Sequence, residues 1–324
     1  MYNQSGIKKI VNKALVNLTY NTESERLIDP VKYILSIGGK RLRPVLALMT
    51  CNLFTDKIDE AVIPVTGLEI FHNFTLVHDD IMDKAMVRRG FSTVHSKWSL
   101  NQAILSGDVM VFITNECFLQ SPPHLLPRVF RVFNKAAIDV CTGQQLDMDY
   151  EKAAIVSHEE YLRMIGLKTA ALIAASVRIG AMFGGADEKE CDLIYEYGRN
   201  LGLAFQIQDD LLDTYGDSKV FGKISGGDIV ASKKTFLFVK AMEIASSGQK
   251  KKLQEEYSAE FSDPEAKVKR VIEIYDQLNI RTITESLAND YFKTAISLLD
   301  KVGVPQERKC ELVQITGSLV GRDH

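Results

Sequence analysis

Residues 76–83 read LVHDDIMD and residues 206–213 read QIQDDLLD, so the chain carries the same Asp-Asp-x-x-Asp pattern twice. In the first copy Asp79 and Asp83 stand four residues apart, and the second copy has the same spacing. On an α-helix this spacing places both carboxylates on one face, about 5.4 Å apart along the axis. Apolar residues surround both copies at helical spacing. We therefore predict that each motif lies on a helix and presents a pair of carboxylates.

Each pair of carboxylates needs a partner of opposite charge. Two like charges one helical turn apart repel each other, and apolar neighbours such as Phe74 and Phe205 make ionisation costlier. Oxygen ligands without histidine or cysteine suit Mg²⁺, which usually shares its coordination shell with water and substrate phosphates. For one motif alone, a solvated acidic helix face is an equally good interpretation. The second copy favours the metal site.

The rest of the chain is also predicted to be helical. Apolar residues recur at helical spacing over residues 7–18, and Asp29-Pro30 is typical of a helix start. Gly38-Gly39 would end that helix, and Ser157 with Glu160 predicts a capping box at the start of another. No sustained apolar–polar alternation marks a strand, and the prolines fall almost wholly at predicted boundaries. The pattern predicts an all-α helical bundle.

The composition is that of an ordinary globular protein, because 46% of the 324 residues are hydrophobic and 25% are charged. Lysine and arginine total 39 against 42 acids, and the net charge of -3 argues against general nucleic-acid binding. Five scattered cysteines without CxxC spacing indicate buried thiols in a reducing compartment rather than disulfides or a zinc site. No linker divides the sequence, so we predict a single domain over residues 1–324.

No targeting segment or stable membrane insertion is predicted. The first ten residues are polar and lack the apolar centre of a signal peptide. The most apolar stretch, residues 170–183, is rich in alanine and interrupted by Arg178, which suits a tightly packed core helix. Together with the buried thiols, these features predict a cytoplasmic protein.

Basic residues accompany the aspartates, and their side chains would suit a polyanion. Gly38-Gly39 allows the backbone to approach an anion closely, and arginine presents a fork that matches phosphate oxygens. Two acidic clusters with several cations therefore point to a diphosphate bound through metal ions. Arg41 and Lys234 could instead complement helix dipoles. The basic residues in question are Lys40, Arg41, Arg43, Arg88, Arg89, Lys168, Lys223, Lys233 and Lys234.

Taken together, these motifs resemble those of the trans-isoprenyl diphosphate synthase (polyprenyl synthetase) family, of the short-chain geranylgeranyl or farnesyl type. The resemblance runs over essentially the whole chain and implies a helical bundle around a central apolar cavity. It rests on the order and spacing of all the motifs. These are GGKRLRP at 38–44, LVHDDIMD at 76–83, RRG at 88–90, GQQLD at 143–147, KT at 168–169, QIQDDLLD at 206–213 and GK at 222–223.

The resemblance also implies a role for each motif residue. Three Mg²⁺ ions would be held by Asp79, Asp83, Asp209, Asp210 and Asp213, with Asp80 in support. The allylic diphosphate would be bound by Arg88, Lys168 and Lys233, with Lys223 nearby. Isopentenyl diphosphate would be bound by Lys40, Arg43, His72 and Arg89. Thr169 and Gln206 would line the space in which the carbocation forms.

The implied reaction adds isopentenyl diphosphate head-to-tail to dimethylallyl, geranyl or farnesyl diphosphate. The helix that carries Asp79 would also measure the product, because one turn of about 5.4 Å is close to one isoprene unit. Phe74 is expected to form the floor of the product tunnel, with Thr75 beside it and Phe71 nearly a turn further. This arrangement predicts a C20 product, with C15 as the alternative. Phe74 could instead be a core residue.

Two other functions share part of this pattern. A terpene cyclase has one Asp-Asp-x-x-Asp motif, but its second metal motif normally differs and it does not need the GGKRLRP segment. A non-catalytic synthase subunit tends to lose aspartates, and here both motifs are complete. The family resemblance also implies a homodimer.

Overall fold

The computed structural model of the protein describes residues 2–216, 226–258 and 263–320. Lys223 and the GK motif at 222–223 lie outside the described residues. Most of the described chain is helical. Its strands, as far as the described residues go, are β1, Val87–Arg88, and β2, Phe91–Ser92, which pair antiparallel with Arg88 opposite Phe91. The all-α prediction is confirmed.

The helices range from single turns to 28 residues. In chain order they are α1 Gln4–Val16, α2 Glu25–Ser36, α3 Leu42–Phe54, α4 Asp59–Met82, α5 Val94–Lys97, α6 Leu100–Leu119, α7 Leu126–Lys152, α8 His158–Ile165, the π-helical turn π1 Gly166–Ala170, α9 Ala171–Gly184, α10 Glu188–Tyr215, α11 Gly227–Val230, α12 Phe236–Ile244, α13 Ser247–Ser258, α14 Pro264–Gln277, α15 Ile280–Asp300 and α16 Gln306–Val320.

The chain forms two compact units. Unit 1 comprises Met1–Lys135, Ala175–Tyr195 and Val302–Val313, and unit 2 comprises Ala136–Ala174, Glu196–Lys301 and Gln314–His324. Neither unit is a continuous stretch of sequence, and most of the unit boundaries fall inside helices. The absence of a linker in the sequence agrees with this arrangement. The single-domain prediction itself stays a prediction.

Helix α4, which carries the first aspartate motif, is embedded in the core of unit 1. Its residues Val65, Leu68 and Ile70 are fully buried. At Gly67 the helix lies so close to α6 that a Cβ atom would be 3.1 Å from the Thr114 carbonyl oxygen. Close packing of this kind resists displacement, so the far end of α4 is held firmly.

Helix α10, which carries the second motif, packs into two apolar clusters of unit 2. Leu203 and Ile207 lie in one cluster with Tyr161 and Phe236. One turn further along, Leu211 lies in the other cluster, with aromatic and aliphatic residues of α12 to α14. The buried face of α10 thus fixes the orientation of its aspartates.

The helical stretch His158–Gly184 is the described segment that is long and apolar enough to cross a membrane, with a mean hydropathy of 1.4. Its apolar window is, however, 78% buried inside the protein. Core helices of soluble proteins have the same length and composition, so this burial agrees with the predicted core helix.

The predicted helix boundaries were partly right. The capping box is confirmed, because the Glu160 N–H donates to Ser157 Oγ at 3.2 Å and the Ser157 N–H donates to Glu160 Oε2 at 2.8 Å. The predicted start of α2 was wrong, because α2 begins at Glu25 and contains Pro30. Proline there removes one hydrogen bond near the helix start, and its buried ring packs in the core, which offsets the loss.

Candidate active site

The first aspartate motif lies at the C-terminal end of α4. Asp79 and Asp83 are one turn apart, and the Asp83 N–H donates to the Asp79 carbonyl at 2.8 Å. Asp79 is half-buried and Asp83 is exposed, whereas Asp80, about 100° further round the helix, is only 1% exposed. The motif thus separates an accessible outer pair of carboxylates from one buried carboxylate.

The buried carboxylate binds the first arginine of the RRG motif. Arg88 Nε donates to both Asp80 oxygens, at 2.9 and 3.0 Å, and Arg88 Nη2 lies 2.7 Å from Asp80 Oδ1. Thr93 Oγ1 donates to the Ala85 carbonyl at 2.8 Å and ties the β1–β2 hairpin to the segment that follows α4. Asp80 therefore fixes the guanidinium of Arg88 at the first aspartate motif.

The second arginine of the motif, Arg89, lies against the GGKRLRP segment. Gly38 in that segment is 51 residues earlier in the chain. Arg89 Nη1 donates to the Gly38 carbonyl. Gly39 has a φ of +151°, and a Cβ atom there would lie 2.8 Å from Arg89 Nη1. Glycine at this position lets the guanidinium rest on the backbone. The structure thus brings these two predicted motifs together.

Arg43, His72 and Arg89 form a basic cluster in unit 1. Burial lowers the pKa of Arg43 to about 10; Glu69 opposes this effect and Arg89 adds to it. Burial, followed by the charges of the surrounding arginines, holds the pKa of His72 well below its usual value, so its ring is neutral near pH 7. Arg43 Nε is buried without a hydrogen-bond partner. A cluster with surplus positive charge and an unsatisfied N–H is suited to bind an anion.

Arg41, in the same segment, has a structural role. It is 6% exposed, and its Nη1 lies 3.0 Å from Glu69 Oε1, while Nη2 donates to the Leu35 carbonyl. The helix-dipole interpretation of Arg41 agrees with the bond to Leu35, because that carbonyl belongs to the last turn of α2. Its ion pair with Glu69 is the physical reason for its place. Lys40, next to it, is exposed.

The second aspartate motif lies in the last two turns of α10 and repeats the division seen in the first. Asp209 is exposed and Asp213 is half-buried, whereas Asp210 is 5% exposed. Both motifs therefore lie on helices, as predicted, with their first and third aspartates accessible.

Asp210 is fixed by three donors inside unit 2. Tyr161 Oη donates to Oδ2 at 2.6 Å, the Phe236 N–H donates to the same oxygen at 3.2 Å, and Gln206 Nε2 donates to Oδ1 at 2.9 Å. Burial raises the pKa of Asp210 to about 7, and repulsion from Asp228 adds to this effect. Because protein donors already engage both oxygens, the geometry gives Asp210 an anchoring role and makes it the least accessible of the predicted metal ligands.

Asp228 is a candidate site residue that the sequence analysis missed. Its N–H donates to Asp213 Oδ2 at 2.8 Å, and the Gly226 N–H donates to the Asp213 carbonyl at 2.6 Å. Asp228 lies on α11 and brings one more carboxylate to the second motif. The signal in the sequence was an aspartate shortly after the GK motif at 222–223.

Lys168 and Thr169 lie on π1. Single π turns inserted into α-helices are frequent at functional sites, because they displace side chains from the regular helical positions. Lys168 Nζ donates to Asp147 Oδ2, and Thr169 Oγ1 donates to Gln206 Oε1 at 2.8 Å. Since Gln206 also donates to Asp210, hydrogen bonds connect the π turn to the second motif.

The GQQLD motif at 143–147 supports this turn. A Cβ atom on Gly143 would lie only 2.2 Å from the backbone nitrogen of Lys168, so α7 and π1 touch backbone to backbone. Asp147, four residues along α7, binds the ammonium group of Lys168. The motif therefore sets the position of Lys168 twice, through the backbone and through the side chain.

The two lysines after α11 have different surroundings. The Lys233 N–H donates to the Asp228 carbonyl at 2.9 Å, so Lys233 directly follows the turn that ends α11. The Lys234 ammonium lies 4.5 Å from the ring centre of Phe238 and 4.9 Å from that of Tyr257. Lys234 precedes the N-terminus of α12, where the helix dipole disfavours a cation, and aromatic faces rather than that dipole stabilise its charge.

The predicted chain-length residues lie in an aromatic cluster of unit 1. Phe71 is 2% exposed, and its ring lies 5.2 Å from that of Phe133 and 5.4 Å from that of Phe74. Phe74 is half-buried and packs edge-on against His78 at 4.8 Å. Thr75 donates its hydroxyl to the backbone of its own helix. Phe71 is therefore a core residue, and Phe74 is the more accessible aromatic ring of the pair.

The accessible carboxylates fit a hard divalent cation. Asp79 with Asp83, and Asp209 with Asp213, supply oxygen ligands only, which Mg²⁺ prefers. Within the described residues, no three acidic, histidine or cysteine side chains converge into a group that could hold a metal by themselves. Two carboxylates on each helix make an open set to which water and phosphate oxygens can add.

Comparisons with known proteins agree with this geometry. The sequence profile described as "Polyprenyl synthetase" matches residues 24–275. The chain is 34% identical to the geranylgeranyl diphosphate synthase of Methanosarcina mazei, over 97% of this chain and 95% of that one. The chain belongs to the polyprenyl synthetase family.

Two further matches describe this polyprenyl synthetase more closely. It is 35% identical to the geranylfarnesyl diphosphate synthase of Natronomonas pharaonis, over 72% of this chain and 74% of that one. Its fold superimposes on a crystal structure of a geranylgeranyl pyrophosphate synthase with a TM-score of 0.95 and 38% identity, and the match covers 100% of both chains. The trans-isoprenyl diphosphate synthase resemblance and the isoprenoid synthase fold are confirmed. The protein is a prenyltransferase, which sets aside the terpene cyclase and the non-catalytic subunit.

Proposed function

We propose that this polyprenyl synthetase is a magnesium-dependent short-chain trans-isoprenyl diphosphate synthase, which joins isopentenyl diphosphate head-to-tail to an allylic diphosphate. The observation that carries the proposal is the division of unit 1 into two charged groups. Arg88 is bound to Asp80 in the first aspartate motif, and Arg43, His72 and Arg89 form the basic cluster, which is close enough to Arg88 for the charge of Arg88 to help lower the pKa of His72. The first group suits a diphosphate bound through metal ions, and the second suits a diphosphate bound by cations alone.

The allylic diphosphate is assigned to the aspartate motifs. Asp79, Asp83, Asp209 and Asp213 would hold up to three Mg²⁺ ions. Asp80 would hold Arg88 in place, and Asp210 would anchor Gln206 and Tyr161. When bound, Mg²⁺ supplies positive charge that stabilises the departing diphosphate. Arg88, Lys168 and Lys233 would donate to its oxygens, and Lys223 is assigned beside them.

Isopentenyl diphosphate is assigned to the basic cluster. Lys40, Arg43 and Arg89 would supply the positive charge, and the unsatisfied Nε of Arg43 would gain an acceptor. The neutral ring of His72 can donate one hydrogen bond without adding further repulsion among the arginines. This arrangement would orient the double bond of the substrate without metal.

The proposed reaction begins when the bond between C1 of the allylic group and the diphosphate oxygen breaks, and both electrons leave with the diphosphate. The double bond of isopentenyl diphosphate then attacks C1 and forms the new carbon–carbon bond. A proton next to the resulting cation passes to the released diphosphate, which acts as the base. The Thr169 hydroxyl donates a hydrogen bond to Gln206 Oε1, so the oxygen lone pairs of Thr169 stay available to stabilise positive charge.

We propose C20 as the main product and keep C15 as the alternative. The name of the Methanosarcina mazei relative supports C20, whereas that of the Natronomonas pharaonis relative indicates that relatives of similar identity make a geranylfarnesyl product. A single half-buried phenylalanine, Phe74, one turn before Asp79 supports a tunnel of intermediate depth.

We also propose that the protein is a homodimer in the cytoplasm. Leu105, Phe112 and Leu119 recur every seven residues on α6 and are 56%, 66% and 54% exposed. An apolar stripe with this period is typical of a helix that packs against another helix, and a second copy would cover it. All five cysteines are free, which a reducing compartment would maintain. The prediction of buried thiols was right for three of them and wrong for Cys141 and Cys310, which are exposed.

The function is tested with purified protein, Mg²⁺, isopentenyl diphosphate and each allylic primer in turn, followed by chromatography of the dephosphorylated products. We expect product to form only with metal present and to be lost on chelation. Asp79→Ala and Asp209→Ala should each lower kcat by at least about 10²–10³-fold, the usual loss for a group that stabilises developing charge. Asp290→Ala, an exposed aspartate on α15, is the matched control. Near-normal turnover in Asp209→Ala would contradict the metal assignment.

A further inference from the structure

We propose that Lys267 is a positioning residue that holds the turn carrying Asp228 and Lys233 in the geometry needed to bind metal-complexed diphosphate. The inference rests on the proposed function, because it concerns the same diphosphate site. Lys267 lies on α14, is 3% exposed and belongs to none of the motifs in the sequence.

Lys267 is a buried cation whose partners are neutral. Its Nζ donates to Ser232 Oγ at 2.7 Å and to the Val230 carbonyl at 3.3 Å, and it lies 5.3 Å from the ring centre of Tyr257. In the part of the chain that the structure describes, it forms no ion pair, and the charge of Glu256 offsets only part of the effect of burial, which lowers the pKa of Lys267. Burying an ammonium group without an acid is costly, and an apolar side chain of the same length would avoid that cost. The charge therefore has a specific task at this place.

Both hydrogen-bond partners of Lys267 belong to the turn that ends α11. Ser232 has a φ of +57°, in the left-handed region where helices usually end on glycine. The Lys233 N–H donates to the Asp228 carbonyl at 2.9 Å, and the Ser232 N–H donates to the Ile229 carbonyl at 3.0 Å. A serine in this conformation is strained, and the two bonds from Lys267 offset the strain.

This turn is connected to the second aspartate motif. The Asp228 N–H donates to Asp213 Oδ2 at 2.8 Å, and Lys233 follows the turn directly. If the turn relaxed, the carboxylate of Asp228, the orientation of Asp213 and the start of the Lys233 side chain would all move. Lys267 therefore acts on the diphosphate site through the turn.

The aromatic ring under Lys267 is itself fixed. The hydroxyl groups of Tyr257 and Tyr275 are hydrogen-bonded at 3.0 Å, and both rings are buried. The ammonium of Lys234 lies 4.9 Å from the same Tyr257 ring, but its described contacts are with aromatic faces. Of these two lysines, Lys267 is the one that bonds the turn.

The main test compares Lys267→Met with Lys269→Met, an exposed lysine on the same helix. The first measurement is the affinity for inorganic diphosphate with Mg²⁺, by calorimetry and by the shift in thermal midpoint. We expect Lys267→Met to weaken this affinity by at least about tenfold, as is usual when a residue that orients a metal ligand is lost. In turnover, KM for the allylic substrate should rise while KM for isopentenyl diphosphate stays unchanged. Lys269→Met should behave like the wild type.

A second pair of variants separates positioning from general stability. Ser232→Gly adopts a φ of +57° without help, so Lys267→Met combined with Ser232→Gly should recover most of the lost affinity. Lys267→Gln, which keeps a donor, should fold and should bind better than Lys267→Met. Unchanged affinity in Lys267→Met, or no recovery in the double variant, would overturn the proposal. Because the binding measurement needs no turnover, a wild type that binds Mg²⁺-diphosphate but makes no prenyl product would contradict the proposed function and leave this test intact.

Discussion

At the scale of single residues, the two neighbouring arginines Arg88 and Arg89 have opposite surroundings. Arg88 donates hydrogen bonds to both carboxylate oxygens of the buried Asp80. Arg89 instead donates to the Gly38 carbonyl and is part of the basic cluster. The sequence predicted both as diphosphate ligands. It could not predict the Asp80 pair, because that contact depends on how the β1–β2 hairpin folds back onto α4.

The ion pair between Arg88 and Asp80 predicts that replacing Arg88 and replacing Arg89 have different effects on the free energy of unfolding. Arg88→Ala leaves the carboxylate of Asp80, 1% exposed, without its partner, so the free energy of unfolding should fall by about 3–5 kcal/mol. Arg89→Ala should leave that free energy nearly unchanged and raise KM for isopentenyl diphosphate. Urea denaturation and steady-state kinetics measure these quantities. Adding Asp80→Asn to Arg88→Ala should recover part of the stability, and an Arg88→Ala protein as stable as the wild type would contradict the assignment.

The lowered pKa of His72 predicts a pH dependence of stability. The unfolded chain takes up a proton on this histidine below about pH 6.5, whereas burial and neighbouring arginines keep the folded form neutral. The contribution to stability is therefore complete above about pH 6.5 and falls by up to about 1.4 kcal/mol for each pH unit below it, until the folded ring is protonated. Urea unfolding at pH 5.5 and 7.5 should show a larger difference for the wild type than for His72→Gln. Equal differences would mean that His72 is protonated in the folded protein.

At the scale of secondary-structure elements, the contact between α7 and π1 determines where Lys168 lies. Gly143→Ala places a Cβ atom only 2.2 Å from the backbone nitrogen of Lys168, so the two elements must separate. We expect a loss of about 1–3 kcal/mol in unfolding free energy, as for other overpacked sites, together with a lower kcat. Gly317→Ala, on α16 with open space around it, is the control and should be neutral or slightly stabilising. A fully active and stable Gly143→Ala enzyme would show that this contact is dispensable.

Helix α4 carries a second element-scale prediction, on product length. Phe74 is half-buried one turn before Asp79, whereas Phe71 is fixed in the core by Phe133. Phe74→Ala should therefore lengthen the main product by at least one isoprene unit, and Phe71→Ala should chiefly destabilise the fold. Chromatography of the dephosphorylated products and thermal unfolding distinguish the two outcomes. An unchanged product in Phe74→Ala would place the tunnel floor on another residue.

The sequence predicted part of this arrangement of helices and site residues and missed the rest. Helical periodicity and the four-residue spacing of aspartates predicted both motif helices and their accessible carboxylate pairs. The start of α2 was missed, because Pro30 is tolerated inside a helix when its ring is buried. Asp228 and Lys267 were missed, because their importance arises from hydrogen bonds across a turn, which no linear spacing encodes.

At the scale of the whole molecule, each compact unit has one aspartate motif and its own set of cations. Unit 1 has the pair at Asp79 and Asp83 with the basic cluster, and unit 2 has the pair at Asp209 and Asp213 with Lys168. The order of motifs along the chain could be read from the sequence. The partition into units could not, because most of the unit boundaries fall within helices whose periodicity continues without a break.

The exposed apolar stripe on α6 predicts the oligomeric state of the protein. Leu105, Phe112 and Leu119 lie on one side of the helix, and a charge at the middle position would have to be buried against apolar side chains in a dimer. Size-exclusion chromatography with light scattering should therefore give a dimer for the wild type and a monomer for Phe112→Asp at micromolar concentration. Val16→Asp is the matched control, because Val16 is an apolar residue that is 84% exposed on α1, away from the stripe in sequence. It should stay dimeric, and a Phe112→Asp protein that also stays dimeric would show that the second copy binds elsewhere.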